Sequence, residues 1–147
     1  MSTLADILLT ETSRPALIRD CVELVDGEVR SKSGVSGFAI KAAYKAVKAV
    51  KPGIIKDVVS ILVDDFVTQL EATYQDYSAG DGTDIRAHVK GNGPKIADAL
   101  LVITDRRAAK SRHRTLVKAY KKLRPKGKNH VIEAMPGIGD MLAKHGV

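Results

Sequence analysis

The sequence predicts an all-α protein of about seven to eight helices, arranged as a compact bundle. Apolar residues recur at intervals of three and four in every long block, which is the spacing of a helix with one buried face. No stretch alternates apolar and polar residues between hairpin turns, so no strand is predicted. Two stretches also match each other, PALIRDCVELVD at residues 15–26 and PKIADALLVITD at residues 94–105. This match indicates a diverged tandem repeat.

The similarity between the two halves continues beyond these first copies. IKAAYKAVK at residues 40–48 resembles LVKAYKKLR at residues 116–124, and Lys51-Pro52 matches Arg124-Pro125. The difference in residue number between matched positions changes only between the matched stretches, where surface connections tolerate deletion. We therefore predict one domain over residues 1–147 with a pseudo-twofold relation between two repeat units. The units are placed at about 14–76 and 93–146, and the connector at 77–92.

Prolines mark the expected helix boundaries. Pro15 and Pro94 each suit the first turn of a helix, where a missing N–H leaves no hydrogen bond unmade. Pro52 and Pro125 interrupt the second helix of each half, because the residue before a proline is pushed out of the α region. After the first interruption, a long helix is predicted from residue 54 to about residue 74.

Length and composition favour a single merged core. Each half holds only about 60 residues, a size at which a lone core is marginal, whereas 147 residues can bury a sizeable one. The connector has room for a short helix that starts from Thr83 as N-cap, runs to Lys90 and is ended by Gly91. The one cysteine, Cys21, lies on an apolar helix face and is expected to be a buried structural thiol.

The chain shows no sorting or membrane signal. It does not open on a basic segment followed by an apolar stretch, and it has no run of about 18 apolar residues. We therefore expect a cytoplasmic protein without a signal peptide or a membrane span.

Positive charge is concentrated in one segment of the second half. Residues 106–130 contain 11 of the 24 Lys and Arg residues and none of the 17 acids. Nucleic acid is the natural partner, because neutralising phosphates releases condensed counterions whatever the base sequence. The alternative is a solvated face that only keeps the protein soluble, although such faces usually mix signs. The predicted phosphate-binding residues are Arg106, Arg107, Lys110, Arg112, Arg114, Lys118, Lys121, Lys122, Arg124, Lys126 and Lys128.

The stretch VIEAMPGIGDMLAK at residues 131–144 resembles the helix-hairpin-helix element of DNA repair and replication proteins. The resemblance implies a hairpin at residues 136–139, where the N–H groups of Gly137 and Gly139 hold a DNA phosphate at a helix N-terminus. Lys144 would add a positive charge. The alternative is an ordinary turn between two packed helices, and Asp140 is unfavourable beside an anion.

A second basic surface is predicted on the helix that contains residues 40–48. Lys41, Lys45 and Lys48 share one face, opposite an apolar stripe that includes Ile40 and Tyr44. This arrangement also suits an anionic membrane surface, although such a stripe is more often part of a core. The alternative function is therefore a helical interaction or scaffold module whose basic face meets an acidic protein or an anionic membrane. Whether the two basic helices share one side of the molecule stays open.

The sequence contains no recognisable catalytic or cofactor motif. His130 and Glu133 have a spacing seen in bundle metal sites, but no further carboxylates accompany them. The glycines Gly34 and Gly37 suggest a phosphate loop only in outline, and Ser36 as a helix N-cap explains them better. We expect a non-enzymatic protein with no cofactor and no metal. Its basic second half is expected to contact duplex DNA through phosphates, without sequence readout.

Three motifs lie at residues 14–26, 36–57 and 120–125, with the sequences RPALIRDCVELVD, SGFAIKAAYKAVKAVKPGIIKD and YKKLRP. Together they make the sequence resemble a family of small helical proteins from high-GC bacteria. The family has no assigned activity, so the resemblance implies one full-length helical unit and no particular chemistry.

Overall fold

The computed structural model describes residues 2–80 and 82–147, and this part of the chain confirms the all-α prediction, since it contains helices and no strand. A 3₁₀ turn at Arg124–Lys126 joins two of the helices. The α-helices are α1 (Leu4–Leu8), α2 (Ser13–Ser31), α3 (Gly34–Lys48), α4 (Ile54–Ala79), α5 (Ile85–Gly91), α6 (Gly93–Lys110), α7 (Arg114–Leu123), α8 (Gly127–Glu133) and α9 (Met135–Lys144).

The prolines interrupt the helices where the sequence predicts. Pro94 lies in the first turn of α6, and α2 begins at Ser13, two residues before Pro15. Pro52 falls between α3 and α4, and Pro125 lies in the 3₁₀ turn between α7 and α8. The α4 helix then begins after Gly53, whose φ of 77° is in the left-handed region that glycine adopts without strain.

Side-chain caps fix the starts of the short helices α1 and α5. The Thr3 hydroxyl accepts a hydrogen bond from the Asp6 N–H at 3.1 Å, and the Asp6 carboxylate accepts one from the Thr3 N–H at 2.9 Å. This reciprocal capping box satisfies donors that α1 would otherwise leave free. In the connector, the Asp84 carboxylate accepts from the Arg86 N–H at 3.0 Å and caps α5. A short helix is present in the connector as predicted, but its N-cap is Asp84 and not Thr83, and it includes Gly91.

One hydrophobic core joins residues from both halves of the chain. The helix α5 packs against α9, α1 packs against α4, and α4 packs against α6. Since short helices bury little surface on their own, α1 and α5 are held mainly by these contacts. The buried members of the core are Leu4, Leu8, Leu17, Ile18, Val63, Val67, Ile85, Val89, Ile96, Ala97, Met135, Ile138 and Leu142.

The two basic helices α3 and α7 are neighbours. They pack against each other, and α3 also contacts α2 and α4, while α7 also contacts α6. Just after α7, the Lys126 ammonium donates a hydrogen bond of 3.2 Å to the Ser36 hydroxyl near the start of α3. The lysines of the two helices therefore belong to adjoining parts of the molecule.

Candidate nucleic-acid interface

The outer face of α7 carries a stripe of four cations. Arg114, Lys118, Lys121 and Lys122 lie at helical spacing on one face, and all four are exposed. The opposite face of α7 is half-buried because the helix packs on α3 and α6. That face consists of Leu116, Val117, Ala119, Tyr120 and Leu123.

Three further cations precede this stripe. Arg106 and Lys110 lie one turn apart near the end of α6, and Arg112 lies between α6 and α7; all three are exposed. Within the described residues, none of these three and none of the four on α7 forms an ion pair. Their charges are therefore free to meet an external anion. We call these seven residues the α6–α7 basic surface.

Four other residues of the predicted interface contact neighbouring side chains in the protein. Arg107 pairs with Asp65 of α4 at 3.1 Å, and Lys128 pairs with Asp98 of α6 at 3.0 Å. Lys126 forms the hydrogen bond to Ser36 described above, and Arg124 pairs with Asp105. These four side chains already have partners within the protein. They are therefore less available to a phosphate than the seven residues of the α6–α7 basic surface.

Arg124 makes the most extensive of these contacts. Its Nε donates to Asp105 Oδ1 at 2.8 Å and its Nη2 donates to Asp105 Oδ2 at 3.1 Å, which is the paired geometry that suits a guanidinium and a carboxylate. Tyr120 also donates to Asp105, and the Tyr120 hydroxyl lies 2.7 Å from the Thr104 hydroxyl. The hydrogen bond from Arg124, and then that from Tyr120, lowers the pKa of Asp105. The carboxylate is therefore held in its charged form.

The predicted hairpin at residues 136–139 is wrong. These residues lie inside α9, and only Ala134 separates α8 from α9. A Cβ at Gly137 would lie 2.4 Å from Leu24 Cδ1 of α2, and a Cβ at Gly139 would lie 3.1 Å from the Cα of Arg86 in α5. The two glycines therefore allow close helix packing, and Gly139 is buried against α5. They do not form the phosphate-binding loop that the resemblance implied.

Lys144 lies apart from the α6–α7 basic surface. It ends α9, which packs on α5, α2 and α8, whereas α7 packs on α3 and α6. Its ammonium pairs with Asp20 of α2 at 3.1 Å, and His145 Nε2 lies 2.6 Å from the same carboxylate. Burial opposes ionisation of Asp20, but hydrogen bonds from His145 and Lys144 outweigh it and lower the pKa of Asp20. These contacts fasten the end of α9 to α2.

A second basic region lies between α2 and α3 and forms a groove of about 310 Å³. Tyr44 donates a hydrogen bond to Asp26, and the Lys48 ammonium lies 5.2 Å from the centre of the Tyr44 ring. Arg30 of α2 joins the lysines of α3 in this groove, a contribution that the sequence interpretation missed. The lining residues are Asp26, Val29, Arg30, Lys41, Tyr44, Lys45 and Lys48. We call this feature the α2–α3 groove.

A family model matches residues 4–146 and carries the description family of unknown function (DUF6918). The chain belongs to this family. No curated protein and no solved structure matches the chain. The family match confirms the predicted full-length resemblance to a family without assigned activity, while the bacterial source group stays a prediction.

The described part of this DUF6918 member also contains a cysteine, Cys21, which the sequence places on an apolar helix face. The Cys21 thiol contacts Met141 Sδ at 3.6 Å, and burial, helped by the nearby Asp20 carboxylate, raises the pKa of Cys21 to about 11. A thiol with such a pKa stays protonated and unreactive near neutral pH. Residues 2–80 and 82–147 contain no group of three or more His, Cys, Asp or Glu placed to hold a metal ion. None of the helices in these ranges has the length and apolar character needed to cross a membrane.

Proposed function

We propose that the protein binds nucleic acid, with duplex DNA as the expected form, through the phosphates and without reading the base sequence. The observation that carries this proposal is the α6–α7 basic surface. It comprises seven exposed cations without an ion pair in the described structure, in a segment whose sequence from residue 106 to residue 130 contains no acid.

The arrangement of these cations supports phosphate contact. Arg114, Lys118, Lys121 and Lys122 project from one exposed face of α7, so several of them can approach one strand of a polyanion together. Lys and Arg bind phosphate by charge, and each phosphate neutralised adds a counterion-release term that does not depend on base sequence. The expected behaviour is therefore tight binding at low salt that weakens steeply as salt is added.

Fluorescence anisotropy with a labelled DNA duplex over a salt series tests this proposal. The test variant replaces Lys118, Lys121 and Lys122 with Gln, which removes three charges from α7 and retains polar side chains of similar shape. The variant should bind at least tenfold more weakly at low salt. The slope of log affinity against log salt should also fall by about 2 to 3, because each lost phosphate contact contributes about 0.9.

A matched control removes the same charge from the other basic helix. Gln at Lys41, Lys45 and Lys48 of α3 lowers the net charge equally and should leave most DNA binding intact. Circular dichroism checks that both variants remain folded. The absence of binding at low salt contradicts the proposal, as does an equal loss in the two variants, because an equal loss would show a response to net charge alone.

A second candidate function is supported by two exposed apolar side chains at the start of α3. Val35 is 90 % exposed and Phe38 is 76 % exposed, and Lys41 and Lys45 follow them along the exposed side of the helix. An apolar tip beside lysines suits an anionic membrane surface. The apolar stripe named from the sequence is not available for this role, because Ile40 is buried in the protein. Sedimentation with phosphatidylserine vesicles, with Phe38→Ser as the variant that loses binding, tests this candidate.

A further inference from the structure

We propose that the α2–α3 groove binds a small oligophosphate, an anion that carries two or more linked phosphate groups. This site is separate from the α6–α7 basic surface and does not depend on DNA binding.

The charges that line the groove favour such an anion. Arg30 of α2 and Lys41, Lys45 and Lys48 of α3 contribute four cations, against the single carboxylate of Asp26. Within the described residues, none of the four cations forms an ion pair. Three positive charges are therefore in excess, and they face a shared space of about 310 Å³.

The hydrogen bond inside the groove limits the effect of its one acid. Tyr44 donates to Asp26, so part of the carboxylate already has a partner within the protein. Burial, and then the hydrogen bond to Asp26, raises the pKa of Tyr44, so its hydroxyl remains a neutral donor near neutral pH. Lys48 lies over the ring at 5.2 Å, where the aromatic face attracts its charge. The tyrosine therefore holds both the acid and one of the lysines in place.

The shape of the groove indicates the size of the ligand. The volume is at the lower end of the range of about 300–1,000 Å³ for small-molecule sites. Lys41, Lys45 and Lys48 lie within eight consecutive residues of helix, and the seven steps between the first and the last give a row of about 10 Å. One phosphate cannot meet a row of that length, whereas linked phosphates can meet several of its cations. A duplex would meet an exposed ridge such as α7 more readily than a recess between two helices.

Isothermal titration calorimetry at low salt, with tripolyphosphate as the probe, tests the proposal. The double variant Arg30→Gln with Lys45→Gln removes one cation from each wall and should weaken binding at least tenfold. Both residues are exposed, so the fold should be retained. The matched control, Lys118→Gln with Lys121→Gln, removes the same charge from α7 and should change the affinity less than twofold.

A variant with the opposite expected effect strengthens the test. Asp26→Asn removes the one negative charge of the lining and keeps an oxygen that can accept from Tyr44, so tripolyphosphate should bind several-fold more tightly. Weaker binding of this variant would contradict the proposed electrostatics.

The remaining outcomes also decide the proposal. It is overturned if tripolyphosphate does not bind, if inorganic phosphate binds as tightly, or if the two double variants lose equal affinity. A DNA duplex measured in parallel separates the two proposals, because failure of either ligand to bind leaves the other result standing. The proposal would also be overturned if the Arg30→Gln, Lys45→Gln variant lost duplex binding while the Lys118→Gln, Lys121→Gln variant kept it. That result would assign the groove to nucleic acid.

Discussion

Each half of the molecule contains a tyrosine–aspartate hydrogen bond, but the side chains around the bond differ between the halves. In the first half Tyr44 of α3 donates to Asp26 of α2, and in the second half Tyr120 of α7 donates to Asp105 of α6. Arg124 adds two hydrogen bonds to Asp105. Lys48, which aligns with Arg124 when residues 40–48 are matched with 116–124, instead lies over the Tyr44 ring. Asp105 is therefore paired with a cation, whereas Asp26 forms no ion pair within the described residues.

The helix contacts of the two halves are also parallel. The short helix α1 packs on α4, and the short helix α5 packs on α9; likewise α2 contacts α4, and α6 contacts α8. The third segment differs, since the first half has the long α4 and the second half has α8 and α9, which are separated at Ala134. These parallels support the predicted duplication and its pseudo-twofold relation, which stay predictions. Substitutions at matched positions test where the two halves are equivalent.

The largest expected effect on stability comes from a substitution at Gly37, close to the connection between α2 and α3. Gly37 approaches the preceding chain so closely that a Cβ would lie 2.6 Å from the Lys32 carbonyl carbon and 2.9 Å from its oxygen. These are backbone atoms that cannot move aside easily, so Gly37→Ala should lower the free energy of unfolding by about 3 kcal/mol. Thermal and urea unfolding measure the change.

Extending the match of residues 40–48 with 116–124 back by three positions places His113 opposite Gly37, and this histidine provides the control. His113 is exposed and makes no side-chain cap for α7, so His113→Ala should change stability by less than about 0.5 kcal/mol. Without the clash, Gly37→Ala would stabilise α3 by up to about 1 kcal/mol, because alanine favours helix. A stabilised Gly37→Ala variant would therefore disprove the close approach.

The second comparison replaces Asp105 and Asp26 with alanine in two separate variants. Asp105→Ala loses the hydrogen bonds from Arg124 and Tyr120, and Asp26→Ala loses the one from Tyr44. Both carboxylates are partly exposed, and solvent weakens such contacts. We expect Asp105→Ala to lower the free energy of unfolding by about 1.5 kcal/mol and Asp26→Ala by about half as much. Urea unfolding at neutral pH gives the values, and equal losses would contradict the comparison.

The stability that Asp105 contributes should also depend on pH. Its pKa in the folded protein is lowered from 3.8, so the stability that it contributes is present above that value. The contribution is lost as pH falls through the lowered pKa, where the carboxylate is protonated in both states. The difference in Tm between the natural protein and Asp105→Ala should be full near neutral pH and should shrink below pH 3.8. A difference that grows as the pH falls would contradict this assignment.

The sequence predicted the helices well because their signals are local. Apolar spacing and the prolines at 15, 52, 94 and 125 specify helices and breaks without reference to distant residues. The capping of α3 was predicted less well, since Ser33 and not Ser36 precedes the helix, and Gly37 packs on Lys32. The close approach of Gly37 to the Lys32 backbone is a contact that no spacing rule shows.

The candidate sites were predicted less well because they depend on contacts between distant residues. Gly137 and Gly139 resemble a hairpin in sequence, yet their lack of side chains accommodates Leu24 and Arg86, which are far away along the chain. The ion pairs that engage Arg107 and Lys128 also join different helices. Arg30 was missed for the same reason, because its place beside the α3 lysines depends on how α2 packs.

The smallest expected effect comes from exchanging the residues that distinguish the two halves. Lys48→Arg introduces into the first half the residue type that pairs with Asp105 in the second half, where Arg124 supplies it. The new guanidinium should pair with Asp26, raise Tm slightly and narrow the α2–α3 groove. Because that pairing uses one of the cations of the groove, tripolyphosphate should bind more weakly although the net charge is unchanged. Arg124→Lys should lower Tm, since an ammonium cannot form the paired hydrogen bonds of a guanidinium. Calorimetry of both variants measures stability and binding together. If Lys48→Arg binds tripolyphosphate as tightly as the natural protein, then a guanidinium at this position does not withdraw a cation from the α2–α3 groove, and the comparison with Arg124 fails.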